Sequence, residues 1–419
     1  MRTAAWTSSG CSSRAVSRFV AKRTIRDLAL AGRRVFVRVD FNAPVVNGAI
    51  GDDTRIRSSI PTIRFALDAC ASRVVLASHL GRPKGAPDTA LSLRPVAARL
   101  QEILQRPVTF AGECVGPAAV AVVADAPVGG IVLLENLRFH AGEERDDAGF
   151  AQGLAALADV YVNDACGAAH RAHASVHAIV RVMPEAGAGL LMEQELAYLG
   201  AALEHPERPF VAVIGGAKVS DKIEVIENLI PKVDRLLVGG AMAYTFFKAQ
   251  GKPVGRSRVE DDKLGEAREI MARAQQRGLQ FMLPSDHVVA ARIPAPGEPA
   301  PPAETIGVDD AAIGDRMGLD IGPATVQAYA AALADAKTVV WNGPMGVFEV
   351  DAFAQGTMAI ARAMADVHGT TIVGGGDSIA AVRKAGVADR VTHISTGGGA
   401  SLEFLGGRVL PGVAVLPDR

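Results

Sequence analysis

Several kinds of residue and pattern are scarce in this chain, and each scarcity excludes a class of protein. Aromatic residues make up only 5% of the sequence, so its cores must be built from Ala, Val, Leu and Ile. The four cysteines are far apart and form no C-x-x-C pair, which favours a reduced, cytoplasmic setting without disulfides. No apolar run approaches the roughly 18 residues that a membrane helix needs. No membrane partner is therefore expected.

An excess of charge of one sign is also missing. The chain has 44 basic and 45 acidic residues, which nearly cancel. A nucleic-acid partner is not expected, because proteins that bind nucleic acids usually carry a basic excess. Local clusters of one charge remain possible.

The order of the segments predicts an α/β fold with two doubly wound, parallel-sheet (Rossmann-like) domains joined by a hinge. A chain of 419 residues is too long for one ordinary core. Short β-branched runs alternate with helical stretches, as in parallel sheets covered on both faces. The expected strands are Val35–Phe41, Val74–Ala77, Ile131–Leu134, Val160–Val162, Val211–Ile214, Leu236–Val238, Val339–Trp341, Thr371–Val373 and His393–Ser395. The divide is expected near Gly187–Glu195, with a helix over Leu190–Leu203 as the link and domains over 23–189 and 190–403.

The first 22 residues differ in composition from the rest of the chain. Residues 1–26 contain six basic residues and no acid, with many serines, a composition typical of a transit peptide. A disordered extension or a start codon assigned too early explains it as well, and a disordered extension over 1–22 is our expectation.

Polar clusters directly follow most of the expected strands. Ligands of open parallel sheets bind outside the carboxyl ends of the strands, so these clusters mark candidate sites. They are 40–42, 78–82, 135–138, 163–164, 215–218, 342–344, 374–377 and 397–399.

The second half of the chain has the pattern of a phosphate site. Four glycine-rich turns follow strands, at 215–216, 239–240, 374–376 and 397–399, and such turns let backbone N–H groups approach an anion. Lys218 and Lys222 would share one face of a helix if it began near Lys218, and a polyphosphate would relieve their conflict with the helix dipole. A solvated helix start is the alternative. Asp377 beside such a turn is the best candidate for a Mg²⁺ ligand.

The first half has the pattern of a site for a small polyanion. Arg55, Arg82, Arg138 and Arg171 lie in or near polar turns, and the guanidinium fork matches phosphate and carboxylate groups. His170, His173 and His177 match no strong zinc pattern. The acidic pairs at 52–53, 143–144 and 146–147 are expected to be solvated turns.

Three missing motifs narrow the chemistry. There is no G-x-x-x-x-G-K-[ST] loop, so a nucleotide site must be built differently. No G-x-G-x-x-G precedes an acid by about 20 residues, which disfavours a dinucleotide-dependent dehydrogenase. No Ser-His-Asp or Cys-His setting stands out, and a nucleophile that is already ionised needs only positioning and charge neutralisation, as in phosphoryl transfer.

Nine ordered motifs carry a resemblance to a known family. From about Thr24 to the C-terminus the chain resembles phosphoglycerate kinases through VDFNAP, DDTRI, SHLGRP, LLENLRFH, YVNDACGAAHRAH, GGAKVSDK, WNGPMGVFE, GGGDS and STGGGASLEFL. The resemblance implies a reversible, Mg²⁺-dependent reaction of glycolysis and gluconeogenesis, in which 1,3-bisphosphoglycerate and ADP give 3-phosphoglycerate and ATP. It also implies hinge closure, a monomer, and a C-terminal tail over 404–419 that packs back on the first domain.

The resemblance implies a role for individual residues. Substrate contacts are expected from Asp40, Phe41, Asn42, Arg55, His79, Leu80, Gly81, Arg82, Arg138 and Arg171. Nucleotide contacts are expected from Gly216, Lys218, Lys222, Gly240, Leu319, Asn342, Gly346, Glu349, Gly375, Gly376, Asp377 and Ser378. Within these, Glu349 would hold the ribose and Asp377 the Mg²⁺. The catalytic set implied is Arg55, Lys218, Lys222, Gly376 and Gly399.

Some positions depart from the family pattern. Cys166 and Ala168 stand where phenylalanine and threonine are common, Ala241 replaces a glycine, and 405–408 reads LGGR rather than LEGK. Ala241 is expected to tighten the adenine pocket. A catalytically silent nucleotide-binding scaffold of the same fold is the alternative function.

Overall fold

The computed structural model describes residues 22–46 and 48–419. The expected N-terminal extension lies outside the described residues, apart from Lys22. In the described ranges, none of the helices combines the length and the apolar character that crossing a membrane would require.

The first half of the chain builds one parallel sheet. Its strands are β1 (Arg34–Arg38), β2 (Val45–Val46), β3 (Ala49–Ile50), β4 (Arg73–Ala77), β5 (Val108–Phe110), β6 (Gly130–Leu133), β7 (Val160–Asn163) and β8 (Ala186–Ala188). Its helices are α1 (Thr54–Asp68), α2 (Arg94–Leu104), α3 (Gly116–Asp125), α4 (Ala141–Glu144), α5 (Ala148–Ala155), α6 (Ala178–Val182) and α7 (Leu190–Glu204). Six of the strands form a sheet in the order β5-β6-β4-β1-β7-β8, while β2 and β3 form a separate hairpin.

The second half builds another parallel sheet and a small antiparallel one. Its strands are β9 (Phe210–Ile214), β10 (Arg235–Val238), β11 (Gln280–Met282), β12 (Asp286–Ala290), β13 (Ala303–Gly307), β14 (Met317–Ile321), β15 (Thr338–Asn342), β16 (Thr370–Gly374) and β17 (His393–Ile394). Its helices are α8 (Ile223–Leu229), α9 (Ala243–Ala249), α10 (Leu264–Gln276), α11 (Pro323–Leu333), α12 (Gln355–Ala365), α13 (Gly376–Lys384), α14 (Gly399–Leu405) and α15 (Pro411–Ala414). The six-stranded sheet has the order β11-β10-β9-β15-β16-β17, and β12 pairs with β13 and β14.

Alternation along the strands explains why both faces of each sheet are covered. In β1, Val35 and Val37 join one buried cluster, whereas Phe36 joins another on the opposite face. The same alternation separates Val211 from Ala212 in β9. Each fully buried aliphatic side chain contributes about 1.5–3 kcal/mol of burial free energy. Burial on the two faces of the sheet therefore fixes the register of the strands.

The link between the halves is a helix with one buried face. Met192, Leu196 and Leu199 of α7 belong to a single cluster that also includes Tyr161 of β7 and Phe210 of β9. The helix predicted over Leu190–Leu203 is confirmed, with its end at Glu204. The proline-rich stretch 293–302 is an exposed irregular segment, as expected, because proline cannot donate a ladder hydrogen bond.

The predicted two-sheet fold is confirmed, but several boundaries were wrong. β1 ends at Arg38 instead of Phe41. The helix predicted to begin near Lys218 begins at Ile223, so Lys218 lies in an irregular segment and only Lys222 adjoins the helix. The antiparallel sheet of β12–β14 was not predicted, because those strands lack a strong apolar run and depend on pairing with one another.

The C-terminal residues contact the first half of the chain. The Asn163 side-chain amide donates to the Gly412 carbonyl at 3.0 Å, and the Gly412 N–H donates to Ala169 at 2.9 Å. Lys22 forms an ion pair with Asp418 at 2.8 Å. These contacts attach the segment after α14 to β7 and to the start of the first half.

Candidate active site

In each parallel sheet the strand order reverses once, and the candidate site lies at these two reversal points. In the first sheet the reversal falls between β1 and β7, and in the second between β9 and β15. Ligands of such sheets bind in the crevice at these switch points. Residues after β1, β9 and β15 line the cavities described next.

The arginine cavity has a volume of about 180 Å³ and is lined by residues of both halves. Eight of the expected substrate residues line it: Asp40, Asn42, Arg55, His79, Gly81, Arg82, Arg138 and Arg171. The side chains of Phe41 and Leu80 are instead buried in the core. Gly397, Gly398 and Gly399 contribute the wall from the second half.

Hydrogen bonds hold the polar groups of the arginine cavity in place. An Nη atom of Arg55 donates to an Asp40 carboxylate oxygen at 2.7 Å. The Gly81 N–H donates to the Asn42 side-chain oxygen at 3.0 Å, and Arg138 donates to the Gly81 carbonyl at 2.8 Å. Because these contacts cross between different strand ends, the cavity is preformed.

The cations of the arginine cavity alter one another's titration. Burial, then Arg38 and Arg171, lower the pKa of Arg138 to about 10, so it stays charged at neutral pH. Burial, followed by Arg38, Arg138 and Arg55, holds the pKa of His79 well below its usual range. The cavity therefore presents guanidinium charge and a neutral imidazole to an anion.

The phosphate cavity, of about 560 Å³, lies against the second sheet. The expected nucleotide residues that line it are Gly216, Lys218, Lys222, Asn342, Gly375, Gly376, Asp377 and Ser378. The Lys222 ammonium contacts the Asn342 side-chain oxygen. Burial lowers the pKa of Lys222, while Asp221 and Asp377 oppose that shift.

The glycine turn before α13 requires glycine at one position. Gly375 has a φ of +91°, a left-handed backbone that residues with a Cβ rarely adopt. This turn exposes the N-terminus of α13, at Gly376 and Asp377, to the phosphate cavity. Unpaired N–H groups at such a terminus favour an anion.

A third cavity is mostly apolar. Gly240, Leu319 and Gly346 line it together with Tyr244, Phe247 and Met345. Ala241 lines it as well, which is the position where the sequence predicts a tighter pocket. Glu349 is exposed and lines none of these three cavities.

Asp320 is a buried carboxyl group beside the apolar cavity. Its oxygens accept hydrogen bonds from the N–H groups of Gly356 at 2.7 Å and Ile321 at 2.9 Å. Burial outweighs these bonds and raises the pKa of Asp320 to about 7. The folded protein thus binds this proton more tightly than the unfolded chain, whose carboxyl has a pKa of 3.8.

We expect the contribution of Asp320 to the free energy of unfolding to be present below pH 4 and to be lost as pH rises through about 7. Asp320→Asn cannot ionise and should remove this slope. Relative to the unmodified protein, the variant should gain about 2 kcal/mol between about pH 5 and pH 7, measured by urea unfolding. Asp366→Asn, at an exposed ion pair with Arg390, is the control and should follow the parent slope. A parent-like slope in Asp320→Asn would contradict the expectation.

Sequence reasoning missed the groups behind the arginine cavity. Arg38 is the last residue of β1 and is 0% exposed, and Glu143 is also 0% exposed. The expectation that the 143–144 pair is a solvated turn was therefore wrong for Glu143. A charged residue within an otherwise apolar strand, as at Arg38, was the available signal. His170 lines the cavity as well.

A metal ion can be bound by a cluster of side chains or by a single carboxylate together with other ligands. In residues 22–46 and 48–419, no group of three or more His, Cys, Asp or Glu residues could hold a metal ion. The Asp377 carboxylate is exposed in the phosphate cavity, where its charge acts on Lys222. One carboxylate fits Mg²⁺, which is usually held by one or two carboxylates plus phosphate oxygens and water.

The arginine cavity and the phosphate cavity meet at Gly399. This residue lines both cavities and begins α14. A Cβ at the preceding Gly398 would lie 3.9 Å from an Nη atom of Arg55. The arrangement can hold two anionic ligands end to end, with backbone N–H groups and Arg55 at the junction.

Comparisons with known proteins agree with this geometry. The family model described as phosphoglycerate kinase matches residues 25–408. A phosphoglycerate kinase of Anaeromyxobacter dehalogenans is 56% identical over 398 residues, covering 94% of this chain and 99% of the relative. One of Moorella thermoacetica is 56% identical over 401 residues, covering 96% of this chain and 100% of the relative.

Solved structures agree as well. The phosphoglycerate kinase of Coxiella burnetii has a TM-score of 0.84 at 39% identity, over 94% of this chain and 98% of that one. That of Pyrococcus horikoshii OT3 has a TM-score of 0.82 at 34% identity, over the same shares. With the family matched over nearly the whole length and two cavities meeting at Gly399, this chain belongs to the phosphoglycerate kinase family.

Proposed function

We propose that this chain transfers a phosphoryl group between 1,3-bisphosphoglycerate and ADP, giving 3-phosphoglycerate and ATP. It is a phosphotransferase of glycolysis with a carboxyl group as the acceptor in the reverse direction. The observation that carries the proposal is the meeting of a cation-lined cavity and a glycine- and lysine-lined cavity at Gly399. A phosphoryl group bridging the two ligands would lie at that junction.

The arginine cavity would hold the phosphoglycerate. Arg82, Arg138 and Arg171 match its phosphate and carboxylate by their guanidinium forks, and Asp40 and Asn42 add polar contacts. The contacts expected from Phe41, Leu80 and Gly81 would come from their backbone, since the side chains of Phe41 and Leu80 are buried. Arg55 would neutralise charge on the transferred phosphoryl group.

The other two cavities would hold the nucleotide. Gly240, Leu319 and Gly346 would contact the base, and Glu349 the ribose. Gly216, Asn342, Gly375 and Ser378 would form the phosphate cradle, with Lys218 and Lys222 neutralising the phosphates. The N–H groups of Gly376 and Gly399 would face the reacting oxygens.

The chemical step needs no general base. An oxygen of the ADP β-phosphate, already ionised, attacks the phosphorus of the acyl phosphate, and the P–O bond to the carboxyl group breaks. The leaving group is a carboxylate, so no proton is required on either side. The work of the protein is to align the two anions and neutralise their charge.

The proposal also covers the domains and the setting of the enzyme. We place the substrate domain at 23–189, the nucleotide domain at 190–403, and the tail at 404–419 on the substrate domain, after an extension at 1–22. We propose a monomer that acts in the cytoplasm.

A coupled assay tests the function directly. The purified protein should form ATP from ADP and enzymatically generated 1,3-bisphosphoglycerate. A hexokinase-linked reaction would measure the ATP that is formed. Normal ADP binding without turnover would instead support a silent scaffold. Protection against unfolding by NAD but not by ATP would point to a dehydrogenase.

Asp377 is the residue proposed to hold Mg²⁺ on the nucleotide phosphates. When bound, the ion would neutralise phosphate oxygens and fix their orientation. We expect Asp377→Asn to raise the half-saturating Mg²⁺ concentration by roughly 10-fold or more, and chelation with EDTA to abolish turnover of the parent. Asp351→Asn, an exposed carboxylate paired with Lys384, is the control and should keep the parent's Mg²⁺ dependence. An unchanged dependence in Asp377→Asn would remove Asp377 from this role.

We also expect the two domains to close about α7 when both ligands bind. Substrate and nucleotide groups belong to different sheets, and excluding water from the junction strengthens each electrostatic contact. Small-angle scattering should show a smaller radius of gyration with 3-phosphoglycerate and an ATP analogue together than with either alone. An unchanged radius would mean that the domains need not move.

A further inference from the structure

A buried hydrogen-bonded chain lies behind the arginine cavity and ends on the ring of His79. The Ser175 hydroxyl donates to a Glu143 carboxylate oxygen at 2.6 Å, and the Ser175 N–H donates to the other oxygen at 2.9 Å. Arg38 Nε donates to Ser175 Oγ at 2.7 Å. An Nη atom of Arg38 lies 3.2 Å from His79 Nδ1. Glu143, Ser175 and Arg38 are each 0% exposed.

The chemistry of these groups fixes the direction of every bond in the chain. An ionised carboxylate only accepts, so the Ser175 proton points to Glu143, and the Ser175 oxygen is left to accept from Arg38. A guanidinium only donates, so His79 Nδ1 must accept. A ring nitrogen that accepts carries no proton. A neutral His79 therefore has its proton on Nε2.

We propose that Glu143, Ser175 and Arg38 are positioning residues that fix His79 as the Nε2–H tautomer, so that His79 meets the anionic substrate as a neutral hydrogen-bond donor. This inference rests on the proposed function, because it takes the arginine cavity to be the phosphoglycerate site. His79 lines that cavity, and no described residue hydrogen-bonds to its Nε2. The ring nitrogen left for the ligand is the one that carries the proton.

The surroundings of His79 disfavour the alternative, a charged imidazolium. His79 is 5% exposed, and the cations around it are Arg38, Arg55 and Arg138, with His173 as a further neighbour. Among the described residues, the carboxylate that faces the ring is that of Asp40, 4.0 Å from Nδ1 and already bonded to Arg55. Burial and these cations both hold the pKa of His79 well below its usual range, in agreement with the geometry.

Glu143 supplies the charge that keeps Arg38 buried. Its carboxylate lies 3.9 Å from an Arg38 Nη atom and 3.9 Å from His173 Nδ1. Arg38 also donates to the Val39 carbonyl at 2.5 Å, and the Tyr161 hydroxyl donates to the Ser175 carbonyl at 2.8 Å. The Arg38 guanidinium is thus held by Ser175, Val39 and Glu143. Its fourth contact, with His79, therefore has a fixed direction.

Imidazole ¹⁵N spectroscopy of the unliganded full chain tests the tautomer directly. With ¹⁵N-labelled histidine at neutral pH, the His79 signals, identified by their loss in His79→Gln, should show an unprotonated Nδ1 and a protonated Nε2. A protonated Nδ1, or protons on both nitrogens, would overturn the proposal. This readout does not depend on turnover. Failure of the proposed function would instead appear as an absence of ATP formation by the unmodified protein, so the two failures can be distinguished.

Ser175→Ala tests the positioning role. We expect the His79 signals to shift toward a mixture of tautomers and the Kd for 3-phosphoglycerate to rise by about 10-fold, with the Kd for ADP within about 2-fold of the parent. Ser59→Ala is the matched control, since Ser59 is also 0% exposed but its hydroxyl has no partner among the described residues. Equal effects of the two substitutions on the Kd for 3-phosphoglycerate would overturn the role of Ser175. If Ser175→Ala fails to fold, the spectrum of the unmodified protein still decides the tautomer.

Discussion

Arg55→Ala should lower kcat by about 1,000-fold while leaving the KM for ADP within a few-fold of the parent. Arg55 lies at the start of α1, bonded to Asp40 at 2.7 Å, and it lines the arginine cavity near the Gly398 turn. A cation that faces charge developing in the transition state is worth about 10³ or more in phosphoryl transfer. Steady-state kinetics in the ATP-forming direction measures the effect.

One further variant separates charge from geometry at this position, and another is the control. Arg55→Lys keeps the charge but loses the planar fork, so we expect a partial recovery of kcat. Arg57→Ala is the control, because Arg57 is 56% exposed and bonds to Asp53 outside the cavity. Near-parental turnover in Arg55→Ala would mean that Arg55 does not serve the transferred group.

Lys218→Ala should lower kcat by about 100-fold. Lys218 is exposed within the phosphate cavity, where its ammonium would neutralise the nucleotide phosphates proposed to bind there. The loss of one donor aimed at transition-state charge typically reduces kcat by about 10²–10³-fold. The same assay, with ADP varied at saturating acyl phosphate, separates an effect on kcat from one on KM.

The control for Lys218 is a lysine outside the cavities. Lys263→Ala removes an ammonium that pairs with Glu266 at 2.9 Å, and its kinetics should match the parent. Lys218→Arg should keep part of the activity, since it retains the charge. A rise in KM alone for Lys218→Ala would show that Lys218 only binds the nucleotide, because an interaction equal in ground and transition states leaves kcat unchanged.

The pattern of apolar runs predicted the two parallel sheets because such sheets are buried on both faces. Strand boundaries were less predictable. β1 ends at Arg38, but Val39 and Phe41 beyond it are also apolar and buried, so the hydrophobic pattern gave no signal for the end of the strand. The antiparallel sheet escaped prediction because β13 is largely exposed and is defined by its partner β12.

Local sequence indicated most of the residues that line the two polar cavities. Strand ends of a parallel sheet converge on one edge, so polar residues after β1 and glycines after β16 could be assigned to candidate sites before any contact was known. The start of α8 was predicted wrongly, because the lysines fit a helical spacing although the helix begins only at Ile223.

The sequence by itself determined the two-sheet fold, the division between arginines in the first half and glycines with lysines in the second, and the family resemblance. These depend on periodicity and on residue order, which are local. Only the tertiary structure decided that Gly399 belongs to both cavities and that Glu143 is a buried partner of Ser175 instead of a solvated residue. Burial and contact depend on segments that are far apart in the chain, and no short stretch of sequence contains that information.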